Sequence, residues 1–225
     1  MSKEKILHEV HSYLEHQRAM GITEIPIMKK IAQKKESLSS TEKQSLLESF
    51  SQEISACAKC RLCKGRSRVV FGVGNPDAEL MFVGEAPGYD EDRQGEPFVG
   101  RAGKLLNKII EAMGFERKNV FIANVAKCRP PNNRTPSDDE MQDCLPHLRR
   151  QIEIIDPKVI VCLGSVAARG LLQTEQKISQ IRGQWQTWDG IKVMPTYHPA
   201  FLLRNPDMKK FVWEDMKKVM TLLNR

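Results

Sequence analysis

The chain of 225 residues carries 35 Lys or Arg and 28 Asp or Glu, a formal net charge of +7. This length allows one sizeable α/β core with an extension, and no stretch approaches the roughly 18 continuous apolar residues of a membrane-spanning helix. The N-terminus lacks the apolar region of a signal peptide, so we expect a cytoplasmic protein whose six cysteines are reduced thiols or metal ligands.

The basic surplus lies on one part of the chain. Residues 57–225 hold 27 Lys or Arg and 20 Asp or Glu, whereas residues 1–56 hold eight of each. A basic surplus on the folded part favours a polyanionic partner, with ordinary solubility as the alternative explanation.

The first 50 residues show no motif that carries chemistry. Ile6, Val10 and Leu14 recur at four-residue spacing and predict a helix over residues 1–20. The stretch GITEIP ends that helix, and the following residues indicate a linker and a short helix from Thr41. We therefore expect a helical and linker extension of unknown role over residues 1–50, and a separate domain over 51–225.

From Cys57 onward, short apolar segments alternate with helical ones. The segments ELMFVGE, NVFIANVAKC, KVIVCLG and IKVMPTY are typical of buried parallel strands. The longest helical segment is predicted to begin with Thr135 as N-cap and Pro136 at its first position, and Pro146 should kink or split it. The pattern predicts a three-layer α/β/α fold, doubly wound, around a mostly parallel four-stranded sheet.

The unusual residues collect at one edge of this sheet. GEAPG follows the first strand, Asn124 and Cys128 end the second, GS follows the third, and YHPA follows the fourth. Ligands of doubly wound sheets bind at the carboxyl ends of the strands, so we expect the site on this rim. The turn after the first strand continues into Asp90, Glu91 and Asp92, which argues against a bound phosphate.

The cysteines give the strongest signal from the residues themselves. Cys57 and Cys60 have C-x2-C spacing, while Cys128 ends a strand and Cys144 lies on the next helix. Four thiolates in a reducing compartment can hold zinc or an iron–sulfur cluster. Cys63 forms a second C-x2-C pair with Cys60, which leaves the choice of pair open. The remaining cysteine lies within the apolar strand VIVCLG and is expected in the core.

Three longer motifs resemble, in order, those of the family 4 uracil-DNA glycosylases, the iron–sulfur class of that superfamily. They are GEAPGYDEDRQGEPFVGRAGKLLN, NVAKCRPPNNRTP and YHPAFLLRNP, and the resemblance extends from about residue 55 to the C-terminus. It implies a monofunctional enzyme of base excision repair that flips uracil out of DNA, hydrolyses its N-glycosidic bond and leaves an abasic site. It also implies a 4Fe–4S cluster on Cys57, Cys60, Cys128 and Cys144, which would pin the loop between the last two.

The resemblance also assigns roles to side chains on the rim. Glu85 is expected to orient or deprotonate water, and Glu91 to form the pocket wall that separates uracil from thymine. Asn124 is expected to read the Watson–Crick edge of uracil, and His198 to donate to the uracil oxygen that gains charge. The ring of Phe98 would stack on the flipped base.

The remaining expected contacts are made by backbone and by surface side chains. Backbone N–H groups of Gly84, Ala86 and Gly88 would donate to a uracil oxygen. The segment after YHP resembles a loop that enters DNA where the base leaves, although which residue enters stays open. We expect DNA, single- or double-stranded, as the partner of a monomer that contacts no membrane. The candidate DNA contacts are Arg101, Lys127, Arg129, Arg134, Leu202, Leu203 and Arg204.

Two other classes of protein share parts of this pattern. A non-catalytic iron–sulfur DNA-binding module on the same fold, associated with replication, would keep the cysteines but would not need Glu85, Asn124 and His198 together. A zinc-stabilised nucleotide-binding protein would use FGVGNPD as its Gly-rich loop, but this loop precedes the first clear strand, whereas a phosphate loop follows one. The joint presence of the three side chains favours an enzyme.

Overall fold

The structure is a computed structural model of the chain, with two compact units, Met1–Ser37 and Leu38–Arg225. It describes residues 38–225 and, within the first unit, His8, His11, Ser12, Tyr13, Glu15, His16, Arg18 and Met20. The predicted linker and the positions Ile6, Val10 and Leu14 lie outside the described residues, while those described between His8 and Arg18 are helical. Among the described helices, none combines the length and the apolar character needed to cross a membrane.

The larger unit begins with a helix that belongs to its core. This helix, α1 (Ser40–Ser55), buries Leu47, Phe50 and Ile54 among the residues that pack against the sheet. The boundary predicted after residue 50 therefore falls inside α1. The role of the residues that precede the larger unit stays a prediction.

A six-stranded sheet lies at the centre of this unit. Its strands are β1 (Val73–Gly74), β2 (Leu80–Gly84), β3 (Phe121–Asn124), β4 (Val159–Leu163), β5 (Gln186–Trp188) and β6 (Ile191–Thr196). They are arranged in the order β1-β3-β2-β4-β6-β5. The inner four pair in parallel, as the sequence predicts, whereas β1 and β5 pair antiparallel at the edges. The sequence does not predict the edge strands because they have only two and three residues.

Helices cover both faces of the sheet. Beyond α1, they are α2 (Tyr89–Gln94), α3 (Arg101–Ala112), α4 (Asp138–Ile155), α5 (Ser165–Leu172), α6 (Ile178–Ile181), α7 (Pro199–Arg204) and α8 (Lys209–Leu222). Alternate residues of β2 point to opposite faces. Met81 and Val83 pack with α1, α4 and α5, whereas Leu80 and Phe82 pack with α3, α7 and α8. The three-layer, doubly wound architecture is thereby confirmed.

Helix α4 differs in detail from the prediction. Its N-cap is Ser137 rather than Thr135, because Ser137 forms a capping box with Glu140. Pro136 consequently precedes the helix instead of occupying its first position. The helix runs on through Pro146, so of the two predicted effects of this proline, a kink or a split, the split is wrong.

Candidate functional site

A cleft of about 250 Å³ opens at the carboxyl ends of the parallel strands. Gly84 ends β2 opposite Asn124, which ends β3, and His198 follows β6 directly before α7. The predicted edge of the sheet therefore does hold a cavity. Of the predicted catalytic and uracil-binding residues, the cleft is lined by Glu85, Ala86, Gly88, Glu91, Phe98, Asn124 and His198.

Gly84 stands behind the cleft rather than on its surface. A Cβ atom at this position would collide with Oδ1 of Asn124 and would lie 2.5 Å from Cζ of Phe98. The absence of a side chain lets these two residues approach the end of β2. Asn124 is only 2 % exposed, so its amide is held in one place at the end of the strand.

Glu91 fixes the turn that carries Phe98. Phe98 has a φ of 54°, in the left-handed region that non-glycine residues rarely adopt. Oε1 of Glu91 accepts hydrogen bonds from the backbone N–H groups of Val99 and Gly100, both at 3.0 Å. These bonds hold the turn, and the Phe98 ring lies with its centroid 5.6 Å from that of His198. Glu91 is thus a wall of the cleft whose carboxylate is engaged by the protein backbone.

The imidazole of His198 is neutral and has a defined tautomer. Burial lowers the pKa of His198 to about 4, and the positive charge of Arg204 contributes to this shift. Nδ1 accepts a hydrogen bond of 3.1 Å from the backbone N–H of Ala200 at the start of α7. The ring proton of the neutral form is therefore on Nε2, which makes Nε2–H a hydrogen-bond donor.

The pKa of the Glu85 carboxyl group is shifted in the opposite direction from that of His198. Burial raises its pKa above the usual value for glutamate, although a hydrogen bond with Thr135 and the charge of Arg169 oppose the shift. A partly desolvated carboxylate is a better proton acceptor than an exposed one. Glu85 is therefore suited to act as a base toward a water molecule in the cleft.

Two of the predicted DNA contacts are wrong because their side chains are buried. Lys127 is 1 % exposed, and its ammonium group donates to the carbonyl of Asn124 at 2.9 Å and to Oε1 of Gln151 at 2.5 Å. Leu202 is fully buried in the core, because the segment after His198 forms helix α7 rather than a loop. Neither residue reaches the surface.

The other predicted contacts have side chains available at the surface. Arg101, Leu203, Arg204 and Arg134 are exposed, and Arg129 is partly exposed. Leu203 is 38 % exposed, unusual for a large apolar residue beside a cleft, and it follows the buried Leu202 directly. Leu203 is therefore the exposed large apolar side chain of α7, and which residue enters DNA stays a prediction.

Arg134 also lines the cleft, which the sequence does not predict. Both terminal nitrogens of its guanidinium group donate to Glu140, at 2.8 and 2.7 Å, and Glu140 is itself 2 % exposed. The same carboxylate accepts a bond of 2.7 Å from Nε of Arg61. The S-x-x-E spacing from Ser137 to Glu140 is the one sequence signal that could have identified this carboxylate.

Five cysteines line a second, smaller cavity. The cysteines on its wall are Cys57, Cys60, Cys63, Cys128 and Cys144. Burial raises the pKa of the Cys128 thiol, and the charges of Cys60 and Cys57 contribute to that shift. The pKa of Cys144 is raised to about 12, mainly by burial and in smaller part by the charges of Cys128 and Cys60. Cys60 and Cys128 therefore lie near Cys144, and Cys57 lies near Cys60 and Cys128.

Hydrogen-bond donors surround the same sulfur atoms. Nη1 of Arg66 lies 3.2 Å from Sγ of Cys128, and the backbone N–H of Lys127 donates to Sγ of Cys144 at 3.2 Å. Nε2 of His147 lies 3.4 Å from Sγ of Cys57. Such donors stabilise thiolates and are typical of the surroundings of iron–sulfur ligands. No sequence pattern distinguishes Arg66 or His147 in advance.

The arrangement of donors differs from that of a single-ion site. Within the described part of the chain, no three His, Cys, Asp or Glu side chains are grouped to hold one metal ion. The thiols instead surround a cavity.

Comparison with known proteins bears out the resemblance of the motifs. The family model described as the Uracil DNA glycosylase superfamily matches residues 71–217. The chain is 49 % identical to the type-4 uracil-DNA glycosylase of Sulfurisphaera tokodaii, over 78 % of this chain and 84 % of the relative. It is 46 % identical to that of Saccharolobus solfataricus, over 79 % and 87 %, and 43 % identical to that of Thermotoga maritima, over 81 % and 97 %. The chain belongs to the Uracil DNA glycosylase superfamily and, within it, to the type-4 enzymes.

Proposed function

We propose that this chain removes uracil from DNA by hydrolysis of the N-glycosidic bond. Its own residues perform three tasks in this reaction: they hold the leaving base, supply the water molecule and hold the DNA. The observation that carries the proposal is the meeting of Glu85, Asn124 and a neutral His198 in one cleft. A uracil inside a duplex is beyond the reach of these groups, so the nucleotide must be flipped out of the stack first.

The first task of the cleft is to hold the leaving base. Departure of uracil places negative charge on its ring, and preorganised donors stabilise such charge without reorganisation. Nε2–H of His198 is a donor for the uracil oxygen that gains the charge, and the amide of Asn124 pairs with the Watson–Crick edge. The ring of Phe98, held by the turn that Glu91 fixes, covers the face of the base.

The second task is to supply the water molecule. The sugar becomes cationic as the bond breaks, and the Glu85 carboxylate offsets this charge while accepting a proton from the attacking water. Its raised pKa makes it a stronger base than an exposed glutamate. Glu91 is less suited to this task, because its Oε1 already accepts two backbone hydrogen bonds.

The third task is to hold the DNA around the flipped nucleotide. Leu203 is the exposed apolar side chain on α7 and would fill the space that the base leaves. Arg204 follows it, and Arg134 reaches the cleft from the loop after Cys128, so both are positioned for phosphate groups. The basic surplus of residues 57–225 adds long-range attraction for DNA.

We further propose that Cys57, Cys60, Cys128 and Cys144 hold a 4Fe–4S cluster. The shared cavity, the mutual charges of these four thiols and the N–H donors beside them support this assignment. The cluster would supply structural cross-linking, since uracil excision needs no electron transfer. It would tie the loop that carries Arg134 to the segment after α1. Cysteine thiolate ligands also accord with the expected cytoplasmic location.

The test is direct. The purified protein is incubated with an oligonucleotide containing one uracil, treated with alkali, and examined for cleavage at that position. A matched oligonucleotide with thymine at the same position is the control and should stay intact. Cleavage of the uracil strand alone is expected. Binding of both strands without cleavage of either would favour the non-catalytic DNA-binding module instead.

A further inference from the structure

A buried lysine lies between the two cavities. Lys127 is 1 % exposed and touches the cysteine cavity with its backbone and the end of β3 with its side chain. Its ammonium group donates to the backbone carbonyl of Asn124 at 2.9 Å and to Oε1 of Gln151 on α4 at 2.5 Å. Burial of a lysine ammonium group costs desolvation free energy. None of the proposed catalytic tasks uses Lys127.

The backbone of the same residue is tied to a proposed cluster ligand. Its N–H donates to Sγ of Cys144 at 3.2 Å, and its carbonyl accepts from the N–H of Val70 at 2.8 Å. The other end of Gln151 donates to the carbonyl of Phe71 at 2.9 Å. Lys127 therefore contacts α4, the segment before β1, a cysteine of the second cavity and the strand end that carries Asn124.

We propose that Lys127 is a positioning residue of the uracil pocket, which couples the cysteine cavity to the base-reading side chain of Asn124. The short segment from Asn124 to Lys127 leaves the sheet and turns toward the cysteines. The ammonium group holds the Asn124 carbonyl, so the amide of Asn124 keeps one orientation toward the cleft. This inference rests on the proposed function and names a residue through which the pocket is held in shape.

The test is a double-mutant cycle on the iron-loaded full-length chain under single-turnover conditions. Lys127→Met should slow uracil release by about 10–100-fold, because a displacement of the order of 1 Å in a reading group has effects of that size. In an Asn124→Ala background the same change should slow release less than about threefold, since its target side chain is gone. In a Glu85→Gln background the effect should persist, because the side chain of Asn124 on which Lys127 is proposed to act is still present.

A second readout separates positioning from general damage. The dissociation constant of free uracil should rise about tenfold or more in Lys127→Met, while affinity for a uracil-free duplex stays unchanged. Ile110→Val, in the core on the opposite face of the sheet, is the control for lost stability and should change neither. An equal effect of Lys127→Met in the wild-type and Asn124→Ala backgrounds would overturn the proposal.

Lys127→Met leaves Gln151 without its partner, so the single variant can be impaired in folding. The double variant Lys127→Met/Gln151→Met removes both side-chain partners and is expected to fold more readily. It should hold iron and still release uracil slowly. Release at the wild-type rate, or loss of iron from both variants, would overturn the inference. Failure of the wild-type chain to release uracil would instead refute the proposed function.

Discussion

The backbone N–H of Ala200 donates to Nδ1 of His198 at 3.1 Å, which leaves the ring proton on Nε2. This bond, made in the first turn of α7, sets the direction of the donor as well as its protonation state. His198→Ala and Asn124→Ala should each lower the single-turnover rate of uracil release by about 10²–10³, the usual effect of losing one donor to a developing anion. Rapid-quench measurement with saturating enzyme checks this.

The control for these variants is His16→Ala, which removes an exposed histidine outside the larger unit. It should release uracil at the wild-type rate. Iron content should stay close to wild type in Asn124→Ala and His198→Ala, because neither side chain lines the cysteine cavity. A wild-type rate for His198→Ala would mean that the base leaves without help from Nε2–H.

The pH profile should identify Glu85 as the base. Because its pKa is raised, the active carboxylate is lost as pH falls through a range above the usual 4.5 of glutamate, and the rate should fall there. His198 stays neutral down to about pH 4 and should not contribute to that fall. Glu85→Gln should be slow at every pH and lack this acid limb. Single-turnover rates between pH 5 and 8 decide the matter.

Stability offers an independent check on the same carboxyl group. A raised pKa means that the folded state binds the proton more tightly than the unfolded state, so stability is lost as pH rises through that range. Glu85→Gln should therefore unfold at the same or a higher temperature than wild type at pH 7, and the difference should shrink at low pH. A lower midpoint at pH 7 would show that the charged carboxylate stabilises the fold.

Cysteine substitutions should separate the ligands from their neighbours. Serine at Cys57, Cys60, Cys128 or Cys144 should each remove iron and the brown colour, and should lower stability, because a buried anchor is lost. Elemental analysis for iron and zinc measures this. The matched control is Cys63→Ser, which alters a cysteine on the same cavity wall and should keep the iron. Loss of iron from Cys63→Ser would mean that Cys60 and Cys63 are the N-terminal pair.

The sequence predicts the inner sheet and the rim because both follow from local patterns. Runs of apolar, β-branched residues specify the four parallel strands. Because Glu85, Asn124 and His198 lie at or just after the carboxyl ends of these strands, the sheet brings them to the same edge. The motif resemblance then assigns their chemistry. The protonation states of Glu85 and His198 could not be predicted, since they depend on burial and on a helix-start hydrogen bond.

The errors share a physical cause. Lys127 and Leu202 look like surface residues in sequence, one as a cation beside a motif and the other within a presumed loop. Tertiary packing decides otherwise, because Gln151 and the Asn124 carbonyl satisfy the ammonium group and α7 turns Leu202 into the core. The boundary at residue 50 falls inside α1 for a similar reason, since the burial of Leu47, Phe50 and Ile54 depends on the tertiary packing of α1 in the core.

The two possible N-terminal deletions should therefore differ sharply. Removal of residues 1–37 leaves the compact unit from Leu38 intact and should change its thermal midpoint little. Removal of residues 1–50 takes away most of α1 with the buried Leu47 and Phe50, and should cost about 3–5 kcal/mol or more. Calorimetry of both proteins checks this. Equal midpoints would show that α1 contributes little to the core.

Duplex affinity of the shorter deletion tests the role of the first unit. Residues 1–37 hold seven Lys or Arg and five Asp or Glu, so their removal takes away +2 of the net charge of +7 and leaves +5 on the larger unit. Affinity for uracil-free duplex and its salt dependence should stay close to wild type. A large loss of affinity would make the first unit a DNA-binding arm.

Leu202 and Leu203 are adjacent on α7, but alanine substitutions at the two positions should affect different properties, stability for Leu202 and uracil release for Leu203. Leu203→Ala removes an exposed apolar side chain, so stability should change by less than about 0.5 kcal/mol while uracil release from duplex slows. Release from single-stranded DNA should slow less, because no base stack closes behind the flipped nucleotide. Leu202→Ala should instead lower the free energy of unfolding by about 2–5 kcal/mol, through the cavity it leaves in the core. Denaturation and single-turnover assays on both variants make the comparison. Equal slowing of Leu203→Ala on single and double strands would mean that Leu203 contacts the nucleotide without entering the duplex.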